Sequence, residues 1–385
     1  MKITMLLQRS IEHDGRVRRE ARALSAAGHV VVVVHLLRRG QEVDVAGEDY
    51  EVCSAVSGRL AEAAPAALRR LLSAFRIASV ARRGGPDAIH AHDAAMLVPG
   101  WIAARLSGAA LVYDSHELAT GVAYRSRAWA SIVAAVERMV VPRCSAVLTV
   151  SDGIADRLRD RYRLSARPAV VRNLPDHPRG SDGAADLRAI LRIGDAPMVL
   201  HQGAIADGRG GPSLIRALAN LDTAHLVFLG ADEHQPHCEQ LQRLATELGV
   251  RRRVHFVAPV PLSSLLSHTS QADVGVSLLE DTCENHRVAL PNKVFEYVAA
   301  GVPVVTSRLP ELTRFIHTYQ VGWTADPSSP EEVASGLQSA LNARDDRRLR
   351  VRIETAAAQL RWERESEKLL RLYETVASDR ASANG

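Results

Sequence analysis

The chain has 385 residues, 46% of them apolar and 4% aromatic, with a formal net charge of +4. That length fits two domains at about 150 residues each, and the apolar share supports ordinary globular cores. So small a charge with so few aromatics speaks against nucleic-acid binding, and no run approaches the roughly 20 apolar residues that span a bilayer.

KITMLL at 2–7 reads as a buried parallel strand, with no signal-peptide pattern at its start. The loop QRSIEHDG leads to a helix over about 16–27, with Asp14 as candidate N-cap. VVVVVHL at 30–36 is the next strand, so the chain opens as a βαβ unit. Gly15 removes a side chain where the loop meets the helix, which suits either a plain turn or the approach of a diphosphate; neither GxGxxG nor GxxxxGK[ST] is present. Residues 59–83 read as a basic amphipathic helix, with Leu68, Leu71, Leu72 and Phe75 at helical spacing among arginines. It is either a surface helix with an arginine face or a contact for an anionic membrane surface.

DAIHAHD at 87–93 reads as a short strand ending in polar residues, the end at which open α/β sheets bind ligands. His90 and His92 are read as facing opposite sides, one toward a crevice and one into packing. A helix at 94–107 precedes the strand AALVYD (109–114), whose polar end SHEL carries His116 and Glu117. A helix at about 126–141, the strand AVLTV (146–150), a helix capped by Ser151-Asp152-Gly153 and the strand PAVVRN (168–173) complete this half. From Leu174 to Pro197 the chain is rich in Pro, Gly, Asp and Ser, which is linker chemistry.

The second half restarts the pattern with MVLHQG (198–203), a glycine-rich loop able to hold a phosphate, and a helix from Pro212. Strands at 224–230, 253–258, 272–279 and 303–307 follow. LPNKVFEYVAAGVPVV at 290–305 is the most informative stretch. Pro291 is placed at the first position of a helix of about ten residues, Gly301 supplies the left-handed stop and Pro303 prevents resumption. Val294, Phe295 and Val298 are predicted buried, with Lys293, Glu296 and Tyr297 on the other side. A cation in a first turn is unfavourable unless an anion binds there, so Asn292 and Lys293 mark a candidate anion site. Spacing alone equally allows Lys293 and Glu296 as a solvated i, i+3 pair. Lysine occurs elsewhere only as Lys2 and Lys368. Helices at 330–343 and 346–358 precede a last amphipathic helix over 359–378, then a tail expected to be disordered over 379–385. Cys53, Cys144, Cys238 and Cys283 are scattered, and no His/Cys/carboxylate set has metal-ligand spacing. The expectation is a cytoplasmic protein with reduced thiols and no metal, peripheral contact with the inner face of the membrane being the alternative.

HDGRVRREARALSAAGHVV, DAIHAHD, LVYDSHEL, AVLTVSDGIADRL and ALPNKVFEYVAAGVPVVTS occur in that order over about residues 3–325. Together they resemble the recurring segments of the retaining glycosyltransferases of family 4, in the branch that writes LPNK before FEY. The resemblance implies the α/β GT-B fold: two Rossmann-like domains facing a central crevice, with a C-terminal helix crossing back. Residues 1–175 would form the acceptor-binding domain, 176–358 the domain for the nucleoside-diphosphate sugar, and 359–378 the returning helix. It further implies that Gly15 approaches the donor diphosphate, His92 contacts the donor sugar, Arg209 belongs to the phosphate clamp and Glu296 binds the ribose. Gly203, Gly230, Asn292 and Lys293 are further donor-side candidates, with His116 and Glu117 on the acceptor side. The chain departs from the commoner pattern at Val288, where the first of two glutamates would stand, and at Ala204, where the clamp's first basic residue would stand.

The implied reaction moves a hexosyl group from a nucleoside diphosphate, UDP being favoured, to an acceptor hydroxyl with retention and without an obligatory metal or other cofactor. The acceptor class is a saccharide, a lipid-linked saccharide or a small molecule. Two alternatives belong to other classes: a nucleotide-sugar 2-epimerase of the same fold, and a non-catalytic nucleotide-sugar-binding partner subunit.

Overall fold

The protein is described by a computed structural model covering residues 1–37, 48–56, 66–122, 126–176 and 185–384. It divides into two units: Met1–Asn173 with Glu365–Gly385, and Leu174–Arg364.

The first unit holds seven parallel strands in the order β3-β2-β1-β4-β5-β6-β7. They are β1 Lys2–Leu7, β2 Val30–Leu37, β3 Glu51–Val56, β4 Ala88–His92, β5 Ala110–Ser115, β6 Ala146–Thr149 and β7 Ala169–Val170. The second holds six, in the order β10-β9-β8-β11-β12-β13. These are β8 Met198–Gln202, β9 His225–Leu229, β10 Val254–Val257, β11 Val274–Ser277, β12 Val304–Ser307 and β13 Gly322–Ala325. Each sheet winds outward from its first strand, then reverses to start again on that strand's other side. The reversal points, between β1 and β4 and between β8 and β11, are where doubly wound sheets leave a crevice at the strand ends.

Both faces of the second sheet are covered, as a parallel sheet requires. Side chains alternate along each strand. Val199, Leu226 and Phe228 join one apolar cluster, and Met198, Leu200, Val227 and Leu229 the other. The helix Gly15–Ala26 is capped as expected, the Asp14 side chain accepting from Val17 N–H at 3.1 Å.

Several expectations change. His90 and His92 are two residues apart on β4 and therefore share a face; their rings stack at 4.2 Å and both are buried. The helix at 290–305 spans Asn292–Ala299, and Pro291 is its N-cap rather than its first residue. Lys293 and Tyr297, assigned to its outer side, are buried. The last helix runs Trp362–Asn384, so the segment expected as a disordered tail is helical to Asn384. Arg380 Nη1 holds it by donating to the carbonyls of Asp87 at 2.7 Å and Gly108 at 2.8 Å. Of the predicted helix 59–83, Ala66–Ala81 is described and 57–65 lies outside the described residues. The strands β3 and β13 and the helices Pro236–Glu247, Leu262–Thr269 and Pro310–Tyr319 were not anticipated.

Gly275 on β11 shows how closely the central helix is seated. A Cβ there would lie 2.3 Å from Tyr297 Cγ. Gly275→Ala should therefore destabilise by about 1–3 kcal/mol through overpacking, read as a lower urea midpoint. An unchanged midpoint would show that the ring has room to move.

Candidate active site

In the second unit the candidate residues gather beside the reversal between β8 and β11. Tyr297 sits at the heart of the packing: its hydroxyl accepts from Gln202 N–H at 2.9 Å and lies 3.0 and 3.1 Å from the carbonyls of Leu200 and Val276, to which it donates. This pins the helix Asn292–Ala299 onto β8 and β11. Lys293, four residues before Tyr297, is thereby held in the protein, its Nζ 3.3 Å from His201 Nε2. Gly203 follows β8 and Gly230 follows β9, both in the left-handed region at φ +90° and +97°. A Cβ on Gly230 would lie 3.3 Å from Gly203 Cα, and one on Gly203 would come within 4.0 Å of Lys293 Cε. The two glycines thus leave free the space beside the lysine.

The electrostatics of this corner favour an anion. Burial lowers the Lys293 ammonium to about 7, helped by the positive charge of Arg209 and opposed by Glu296. His201 is pushed well below the usual imidazole range by burial, then by Lys293 and Arg209; among the described residues its buried Nδ1 has no partner. The helices Asn292–Ala299 and Gly211–Ala219 both begin without a side-chain cap, leaving first-turn N–H groups for an anion. Asn292 is exposed at the first of these ends. Glu296 accepts from Gln202 Nε2, and Gln202 Oε1 accepts from Thr269 Oγ1 at 2.7 Å, so the carboxylate is oriented through an amide. The loop between β8 and the helix Gly211–Ala219 is tied to the chain after β11, Glu280 N–H donating to Gly208 O at 2.9 Å. Val288 is buried and Ala204 exposed.

In the first unit the candidates surround the ends of β4 and β5. Arg16, one residue past Gly15, is buried and grips Asp114 with two hydrogen bonds, at 2.8 and 3.0 Å. It also donates to Val171 O at 2.6 Å and lies 3.0 Å from Glu20. Asp114 in turn holds His116, Oδ2 to Nε2 at 2.9 Å, and lies 3.2 Å from His92 Nδ1. Among the described residues, the buried Nε2 atoms of His92 and His90 have no hydrogen-bond partner. Asp93, at φ +63°, turns its carboxylate to within 3.4 Å of His116 Nδ1, a backbone position uncommon outside glycine and typical of functional turns. Glu117 contributes its carbonyl to Ser115 Oγ at 2.9 Å.

Burial opposes the charge on His116, but Asp93 and Asp114 outweigh it and raise the imidazole to about 10. Burial likewise opposes ionisation of Asp114, yet Arg16 and His116 hold it well below the carboxylate range. Glu20 is raised and His90 lowered, in both cases first by burial, so each favours its neutral form. Glu20, His90, His92 and Asp114 bring ligand-type atoms within 4.8 Å of one another, a grouping that linear spacing does not reveal. In this group the guanidinium of Arg16 already supplies the balancing positive charge.

Spacing alone missed Arg16, Asp93 and Asp114 in the first unit, and His201, Gln202 and Tyr297 in the second. The rule applied to DAIHAHD, that polar residues at the carboxyl end of a buried strand are suspect, would have found Asp114 at the end of β5 and His201 at the end of β8.

Two family models match the chain, one in each unit: Glycosyltransferase Family 4 over residues 16–177 and Glycosyl transferases group 1 over residues 196–343. The chain belongs to the family 4 type of glycosyltransferases. Among individual relatives, the GDP-mannose-dependent alpha-(1-6)-phosphatidylinositol monomannoside mannosyltransferase of Mycobacterium tuberculosis is 28% identical over 259 residues, 63% of this chain and 63% of that protein. The chain thus matches somewhat under two thirds of that relative's length. The D-inositol 3-phosphate glycosyltransferase of Geodermatophilus obscurus is 24% identical, over 78% of this chain and 69% of the relative. Among solved structures, sucrose-phosphate synthase from Thermosynechococcus elongatus superposes with a TM-score of 0.77 at 19% identity, covering 98% of this chain and 100% of that one. Anabaena HepE in complex with UDP gives 0.75 at 16%, covering 97% and 100%. The fold is GT-B.

His116 yields a test with a definite sign. Its folded value of about 10 lies above the ordinary 6.5, so its contribution to stability is full below pH 6.5 and is lost as pH rises through about 10. Urea unfolding of wild type and His116→Gln across that window should show the wild type losing stability with rising pH relative to the variant. Parallel curves would remove the imidazole from the Asp93–Asp114 pair.

Proposed function

We propose that the protein transfers a hexosyl group from a nucleoside-diphosphate sugar to an acceptor hydroxyl with retention of configuration. The observation that carries this is the buried Lys293 ammonium at an uncapped helix start, next to Arg209 and facing the space left by Gly203 and Gly230. A buried cation without a paired carboxylate is costly, and a diphosphate placed there would repay that cost. Gly15, the first residue of the helix Gly15–Ala26, is also assigned to the donor diphosphate. Glu296, oriented by Gln202, would take the ribose hydroxyls. His92 Nε2, buried and unpartnered, would meet the sugar.

In the reaction, the bond between the anomeric carbon and the diphosphate oxygen breaks, and the acceptor oxygen bonds to that carbon on the same face. The acceptor's proton passes to the departing diphosphate. Lys293, Arg209 and the two helix starts stabilise the charge that develops on the leaving group. The protein's other task is orientation. This chemistry asks for no metal, the cationic work being assigned to side chains. His116 and Glu117, at the end of β5, are assigned to the acceptor. UDP is the proposed donor nucleotide: HepE was solved with UDP, whereas the mannosyltransferase relative is GDP-mannose-dependent. The acceptor class remains a saccharide, a lipid-linked saccharide or a small molecule, and the proposed setting is the cytoplasm.

Lys293→Ala should lower turnover by about 10²-fold or more, the scale of losing one stabilising donor, in an assay of donor consumption. Near wild-type turnover would take Lys293 out of the mechanism. A thermal-shift panel of UDP, GDP, ADP, dTDP and CDP, with and without magnesium, selects the donor. At about 100 times Kd a ligand stabilises by about 2.7 kcal/mol, and one base should win without magnesium. Val288 favours one other outcome, since a buried apolar side chain stands where the two-glutamate form has a carboxylate: nucleotide binding with neither transfer nor slow donor hydrolysis would assign the chain to the non-catalytic class.

The lowered lysine adds a pH test. With a free value of about 7, Lys293 is largely neutral above that pH, and a bound diphosphate raises its affinity for a proton. Nucleotide binding should therefore take up a proton above neutrality, and affinity should fall as pH rises from about 7. Calorimetry in buffers of different ionisation enthalpy reads this directly. Binding without proton uptake, in wild type as in Lys293→Ala, would place the diphosphate elsewhere.

A further inference from the structure

The helix Ala66–Ala81 is seated the wrong way round for a surface helix. Its inward residues are Ile77, Ala78 and Ala81, each at most 1% exposed, whereas Leu68, Leu71, Leu72 and Phe75 are 47%, 50%, 38% and 54% exposed. At 100° per residue these four fall within an arc of about 100°, the width of an amphipathic helix's apolar stripe. Three of the helix's larger apolar residues form one ridge with Phe75, and that ridge faces solvent instead of the sheet.

The charge beside this ridge has one sign. Arg69 and Arg76 line one side of it, and Arg82 and Arg83 stand at its C-terminal end, all exposed and none in an ion pair with a described residue. The helix contains no acidic residue. It packs against the helix Asp93–Ser107, which packs in turn against the helix Arg127–Val140. Those neighbours continue the pattern with exposed Leu106, Ile132 and Met139, beside exposed Arg105, Arg127 and Arg138. Their acidic residues are Asp93, turned toward His116, and Glu137, buried where it accepts from the hydroxyls of Tyr113 at 2.8 Å and Tyr162 at 2.7 Å. Neither carboxylate is available to offset the arginines.

We propose that this helix layer of the first unit docks on an anionic bilayer surface, the ridge entering the boundary between headgroups and acyl chains and the arginines pairing with lipid phosphates. An apolar ridge alone would suit many occupants; the arginines narrow the choice. A second copy seated face to face would bring arginines against arginines, and an apolar partner would leave them unpaired. A sheet of anionic headgroups over hydrocarbon matches both components at once, and arginine stems can cover apolar surface while their heads reach phosphate. The patch lies on the helix layer and not at the strand ends, so the inference stands whether or not the sugar-transfer reading holds.

The test is co-sedimentation of the full chain with vesicles of phosphatidylcholine, with and without phosphatidylglycerol, at low and high salt. Wild type should sediment with the phosphatidylglycerol vesicles and be released by salt. Arg82→Gln with Arg83→Gln should weaken binding by about fivefold for each arginine removed, from roughly 1 kcal/mol per basic residue near the surface. Leu71→Ser with Phe75→Ser should weaken binding at every salt concentration. All four side chains are exposed, so the thermal midpoint of both variants should match wild type, which separates lost docking from lost folding. Equal binding to neutral and anionic vesicles, or binding that survives both pairs of substitutions, overturns the proposal. So does concentration-dependent self-association in sedimentation velocity that Phe75→Ser abolishes in a chain that ignores vesicles, which would assign the face to a second copy.

Discussion

The hydroxyl of Tyr297 is the contact on which the arrangement beside the β8–β11 reversal rests. It satisfies backbone groups of Gln202, Leu200 and Val276 where β8 and β11 run side by side before their loops diverge. Buried backbone polar groups need partners, and at a reversal point the ladder cannot supply all of them once the chains separate. A side chain doing so from the helix above joins that helix to two strands at once. The absent side chain at Gly275 gives the ring its place, and one turn of helix carries the result to Lys293. An ammonium can be kept dry and aimed only if the helix beneath it cannot slide.

The first unit solves the corresponding problem with charge. Arg16 reaches from the first helix to Asp114 on β5, and Asp114 orders His92 and His116. Removing one member of such a buried set leaves an uncompensated charge, which is far costlier than the pair is worth. The two reversal points thus differ in kind. One is fixed by a neutral hydroxyl and left rich in cations, and the other is fixed by an internal ion network that leaves two imidazole nitrogens, His90 Nε2 and His92 Nε2, without a hydrogen-bond partner among the described residues.

Much of this was legible in the sequence because parallel strands buried on both faces leave valine-rich runs, and glycine and proline mark where they end. VVVVVHL, MVLHQG and PVVTS were readable for that reason. β3 and β13 were not, since each pairs on one side only and EVCSAV and GWTA lack a buried run. At the site, a strand end pointed to His90 and His92 and a helix start to Lys293, whereas Arg209 entered through the family resemblance. Periodicity misplaced Tyr297, because a polar-tipped aromatic at the boundary of a helical stripe reads as exposed until the backbone groups it serves are known. Arg16 was hidden by the same logic: in a chain that uses arginine nearly everywhere, one arginine carries no signal until Asp114, 98 residues on, is seen to face it.

The division of the chain has a consequence for its synthesis. The second unit is continuous, whereas the first is completed only by the segment from Glu365 onward, whose Tyr373 is buried and lies 3.1 Å from His90. A ribosome therefore delivers the whole of the second unit before it releases the helix that closes the first. During that interval β4, with its two stacked histidines, lacks its cover. The unit begun first is the one finished last, and the exposed interval is set by translation time across nearly two hundred residues, about 10–40 s at 5–20 residues per second.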